Sequence, residues 1–188
     1  GELLENLKTK PKKWVIGGGS AVGGWDHLKV LMAAKEYGIS NVRKIKYVSF
    51  DGGGDAVTQL LAGNVQIFTG DVSEIKGFVD AGDIKIIAVL SPNRLPGDFS
   101  KFYTAKEQGV NVVGANWRGF YVPKGMSDDA YNFWAGAIKK MYDTPQWKKT
   151  MAKNGLAPLD LSGKAFEAFV ANSVASIQTI SKQIGIIK

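Results

Sequence analysis

The stretch that decides the fold is Trp14 to Gly38, WVIGGGSAVGGWDHLKVLMAAKEYG. It opens as a short strand over 14–17 and turns through Gly17, Gly18, Gly19, Ser20, Gly23 and Gly24. It closes as a helix over 24–37 in which Leu28, Leu31 and Met32 share one face, with Gly38 as the stop. A glycine-rich passage from strand into helix presents free backbone N–H groups and the positive end of a helix dipole. That combination attracts phosphates and carboxylates.

The same alternation continues downstream. KIKYVSF (44–50) reads as a strand and DAVTQLLAG (55–63) as a helix with Val57 and Leu61 inward. VQIFTG (65–70) is the next strand, DVSEIKGFVDAG (71–82) the next helix, and IKIIAVL (84–90) a fourth strand. Strand and helix at this spacing predict right-handed parallel crossovers and an α/β sheet. After that, 91–102 is an irregular loop with two prolines and 110–125 a long extended stretch, followed by helices over 128–142, 145–154 and 163–184. Residues 1–112 are therefore expected to form one α/β unit. Residues 113–188 supply a crossover strand and amphipathic helices with no sheet of their own to cover. This predicts two lobes with a cleft between them, the second lobe incomplete. The opening GELLENLKTK reads as a helix entered partway along a longer product.

Composition narrows the function. Lys and Arg number 24 against 17 Asp and Glu, giving +7 at pH 7 and a pI near 9.5, which favours anionic partners. The basic residues are scattered, and the one cluster, KTKPKK (8–13), reads as a solvated helix end, so no nucleic acid is expected. No run of about 18 apolar residues is present to cross a membrane as a helix. The absence of cysteine excludes disulfides, thiolate metal sites and a Cys nucleophile, and the single His27 excludes a His-rich metal site. No metal or cofactor is expected.

Three strand-to-helix junctions, GGGSAVGG, SFDGGGD and FTGDVSE, fall on one edge of a parallel sheet, where ligands of open α/β folds bind. Nucleotide signatures fail there. Gly19 and Gly24 have the spacing of a phosphate loop, but Trp25-Asp26 stands where Lys-Ser/Thr is needed, and Val22 breaks a dinucleotide turn begun by Gly17 and Gly19. Asp26, Asp51, Asp55 and Asp71 sit at loop–helix junctions and read as N-caps rather than acid–base pairs. No nucleophile elbow or zinc-hydrolase motif occurs, so no enzyme is predicted.

The segments GGGSAVGGWDHL, YVSFDGGGDAVTQLLAG, AGDIKIIAVLS, EQGVNVVGANWRGFYVPKG, DTPQWKK and LSGKAFEAFV, in this order, resemble the substrate-binding receptors of tripartite tricarboxylate transporters, the Bug family. The resemblance implies a type II-like periplasmic-binding-protein fold, with residues 1–112 as its second, ligand-binding lobe and 113–188 as the return segment into the first. It implies a small di- or tricarboxylate held between lobes, delivery to a membrane permease, and a periplasmic or extracellular location, with lipid anchoring left open. Carried over residue by residue, the first loop falls on Gly19, Ser20, Ala21, Gly23, Gly24, Asp26 and His27, and the second on Asp51, Gly52, Gly53 and Gly54. The third falls on Asp71, Ser73 and Glu74. Ser20 and the N–H groups near Gly23 and Gly52–Gly54 are the expected carboxylate donors, with His27 orienting the first loop. Trp25 departs from the family's small or hydroxylated residue there; it narrows the pocket, stacks on an unsaturated ligand or packs internally. Trp117-Arg118 offers an anion clamp, but its place in the crossover strand favours a structural pairing. Two other readings remain: an enzyme using His27 as a base, and the ligand-sensing domain of a regulator with the same bilobal fold.

Overall fold

The computed structural model describes residues 1–187. It contains α1 (Glu2–Thr9), β1 (Val15–Gly18), α2 (Trp25–Glu36), β2 (Lys46–Ser49), α3 (Gly53–Leu61), β3 (Ile67–Thr69), α4 (Val72–Ala81), α5 (Asp128–Asp143), α6 (Pro145–Lys153) and α7 (Gly163–Gln183). The three strands are parallel in the order β2-β1-β3. Among the described residues no helix is long and apolar enough to cross a membrane.

The core lies against β1. Ile16 on the strand, Leu28, Leu31 and Ala34 on α2, and Leu4 and Leu7 on α1 are buried together with Val110 and Val112. Each fully buried aliphatic side chain contributes about 1.5–3 kcal/mol by leaving water. Ile184 belongs to the same core, and Ile177, Ile180 and Ile186 pack on it. The far end of α7 thus returns to the α/β unit. Its near end gathers a separate aromatic group: the Trp117 ring lies edge-on to Phe166 (5.6 Å) and to Phe169 (5.5 Å).

Two expected strands are not strands. Residues 84–90 alternate between more and less exposed positions as a strand would. Their ladder partners, however, are not β3 but a single parallel bridge between Val89 and Thr104. Val89 N–H donates to Tyr103 C=O, Ala105 N–H to Val89 C=O, and Gly114 N–H to Leu90 C=O. With β3 only three residues long, the neighbouring loops take the hydrogen bonds that a fourth strand would have given the sheet. The 110–125 stretch likewise forms no strand: Val112 N–H donates to Val110 C=O, the segment closes a turn at 123–126, and an irregular connection stands where the crossover strand was expected.

The helical tail is largely exposed. No residue of α5 is buried, and Phe120, Tyr121, Phe133 and Trp134 are all more than half exposed. The aromatic group has no strand beneath it among the described residues.

Candidate functional site

The register sets the site. Gly18 pairs with Ser49 on one side and Thr69 on the other, so the three strands end flush and their loops emerge side by side. The first two loops touch backbone to backbone: a Cβ on Gly19 would stand 2.6 Å from the carbonyl carbon of Gly52 and the nitrogen of Gly53. Gly52 holds φ 97° and ψ 168°, a conformation essentially restricted to glycine. The triple-glycine runs therefore serve contact between loops and a forced turn.

Within the first loop, His27 is buried and its Nδ1 accepts from the Gly23 N–H at 3.0 Å, while its ring stacks on Tyr47 at 4.5 Å. Burial holds its pKa below the ordinary 6.5, so the imidazole is neutral at neutral pH, as an acceptor must be. Tyr47 donates to the Ser20 carbonyl at 2.7 Å. The Ser20 hydroxyl oxygen accepts from the Asp26 N–H at 3.0 Å, so Ser20 serves as a cap for α2 from outside the helix. Its own proton remains a donor. Trp25 packs against the core, with its Nε1 buried and unpartnered.

The expected capping by aspartates is corrected at three of four positions. α2 begins where expected, with Gly24 as its cap, whereas α3 begins earlier than expected, with Gly52 as its cap. Asp26 and Asp55 consequently lie inside the first turns, where the helix dipole still favours them, and Asp51 precedes the cap. Asp71 is the N-cap of α4, and Glu74 closes the turn by accepting from the Asp71 N–H at 2.9 Å. The Glu74 carboxylate also fills the space beside Gly53 and Gly70, where a Cβ would collide with it. The Asp71 carboxylate is bound by Arg118 at 2.6 Å and by Asn116 at 3.2 Å. This is the structural pairing expected for Arg118, made from an irregular connection rather than a strand.

A cavity of about 1610 Å³ opens beside the third junction. Lys29, Thr69, Asp71, Ser73, Asn116 and Arg118 line its polar side, and residues from the irregular connection and the tail helices line the rest. Of the twelve residues expected to bind ligand, Asp71 alone lines it. Gly19, Ser20, Ala21, Gly23, Gly24, Trp25 and His27 lie at the first junction, and Asp51 to Gly54 at the second, along the same edge but outside the cavity. Lys29, Asn116 and Arg118 enter from parts of the sequence that spacing does not connect. The triple glycines drew attention to the loops, but no local signal marked Lys29.

Comparison with known proteins agrees with this architecture. A family model described as tripartite tricarboxylate transporter family receptor matches residues 1–186. The chain is 22% identical over 187 residues to the UPF0065 protein in the gbd 5' region of Cupriavidus necator, covering 100% of this chain and 55% of that one. Among solved structures it is similar to R. palustris Rpa4515 with adipate, at TM-score 0.86 and 21% identity, covering 98% of this chain and 60% of that one. It is also similar to the periplasmic binding protein BugD, at TM-score 0.83 and 21% identity, covering 98% and 60%. The chain thus spans little more than half the length of the curated relative it matches.

Proposed function

The chain belongs to the tripartite tricarboxylate transporter receptor family, and on that premise we propose that it is the greater part of an extracytoplasmic receptor for a small carboxylate. The observation that carries this reading is the flush edge of β2-β1-β3, where two helices open on glycine N-caps without a side-chain acceptor from the cap residue. Neutral backbone donors at helix N-termini hold an anion while leaving it exchangeable, which suits capture and release. The relative solved with adipate supports the same ligand class.

The mechanism is capture without a covalent step. Ligand enters between the sheet edge and the 113–122 segment, and closure about that segment traps it. Arg118 and Asn116, fastened to Asp71, tie the segment to the start of α4 and so limit how far it opens. The closed form is then the one a membrane permease reads, with the receptor working in the periplasm. His27, neutral and engaged with Gly23, supports loop positioning rather than a base.

Calorimetric titration of the intact gene product with adipate, succinate, citrate, glutamate and an aromatic carboxylate tests the reading. Saturable micromolar binding of at least one, with the ligand recovered unchanged, is expected. Heat from none of them, or a chemically altered ligand, overturns it.

A further inference from the structure

Lys29 is the most deeply buried charged side chain among the described residues, at 4% exposure. Its stem runs beneath Gly114, where a Cβ would stand 2.9 Å from Lys29 Cγ, and its Nζ lies 2.9 Å from Asp26 Oδ1. Asp26 is the one carboxylate in reach of it among the described residues, and an ammonium carries three donors. Lys29 also lines the large cavity, whereas Asp26 does not. The main-chain carbonyl of Asp26 accepts from Thr69 Oγ1 at 3.1 Å, which sets the pair beside the end of β3, where the cavity's polar side begins.

A buried ammonium with one partner is expensive to keep, and an apolar residue at that position of α2 would pack more favourably. We propose that Lys29 is the charged anchor for a ligand carboxylate, with Asp26 as its counter-ion in the empty site. This rests on the carboxylate-receptor reading above and names where one carboxylate binds. On entry, a carboxylate accepts the N–H donors that Asp26 leaves free and shares the ammonium with it. The anchor also selects: a ligand must carry its negative charge far enough into the cavity to reach α2, so a short monocarboxylate held at the glycine loops gains nothing from it.

The two partners separate anchoring from mere structure. If the pair only stabilises the fold, Lys29→Gln and Asp26→Asn break the same contact and weaken binding alike. If Lys29 anchors ligand, Lys29→Gln weakens binding of whichever panel carboxylate binds best by about tenfold or more, the range carried by a charge-assisted hydrogen bond. Asp26→Asn instead tightens it, because the ligand no longer competes for the ammonium. Calorimetry on the intact gene product reads both, with Lys29→Met as the second uncharged variant should Lys29→Gln fail to fold. Unchanged affinity in the Lys29 variants, or equal losses in the Lys29 and Asp26 variants, overturns the anchor and leaves the receptor reading intact. No carboxylate binding by the unaltered protein overturns the receptor reading, and the anchor with it.

Discussion

Replacing Gly19 with Ala tests whether the first two loops are built as one unit. The new Cβ would stand 2.6 Å from two backbone atoms, Gly52 C and Gly53 N, and 2.9 Å from Gly52 Cα. No flexible side-chain end is available to yield, so one loop must move. Forcing a methyl group into such a space costs about 1–3 kcal/mol. In a chain of 188 residues that lowers the melting temperature by roughly 2–12 °C, at about 2–4 °C per kcal/mol. Two neighbours serve as controls within the same motif. Gly52→Ala meets nothing within 4 Å but must adopt φ 97°, a strain of about 1–3 kcal/mol. Gly54→Ala meets nothing, lies inside α3 and gains helix propensity, a stabilisation of about 0.5–1 kcal/mol. Calorimetric melting of the three variants should therefore give a loss, a loss and a gain. If Gly19→Ala melts with the unaltered protein, the loops do not touch and the shared edge is wrongly drawn.

Other expectations follow from the same geometry. Because burial depresses the His27 pKa, its contribution to stability is complete above about pH 6.5 and is lost as pH falls below that value through the folded-state pKa. His27→Asn, whose amide oxygen can accept from Gly23, should flatten the fall in melting temperature between pH 7 and 5; an unchanged slope would assign the effect elsewhere. Asp71→Asn should speed amide exchange across 113–122 while changing global stability by less than about 1 kcal/mol, since Arg118 is largely exposed. Exchange at the unaltered rate would detach that segment from Asp71.

The alternation of apolar runs, glycines and helical faces was enough to read three strand–helix units and the edge they share, because those patterns are local. What failed was competition. Residues 84–90 carry a strand's alternation, but their hydrogen bonds depend on whether β3 or the 103–105 and 114 segments reach them first. The aspartate caps gave way to glycines, Gly24 two residues before Asp26 and Gly52 three before Asp55 and one after Asp51, because Ser20 and Ala21 crowd the first position and a φ of 97° is required at the second. Lys29 was invisible for a similar reason. On a helix it reads as a solvated residue, yet it is buried, with Gly114 passing close over its stem. The pairing of Asp71 with Arg118 was not legible either, because 47 residues separate the two and the sequence marked Asp71 only as a cap and ligand contact.

α7 carries a mechanical consequence. Its 21 residues make a rod of about 31 Å, rooted at Ile177, Ile180 and Ile184 in the α/β core and bearing Phe166 and Phe169 against Trp117 at the other end. A rod anchored at one end amplifies: a tilt of about 10° about Ile180 sweeps Phe166, about 21 Å away by the rise per residue of an ideal helix, through roughly 4 Å. A displacement too small to notice at the core is thereby a large one at the tail. Loosening the Ile180 socket should accordingly alter the reach of the Trp117 end more than its packing.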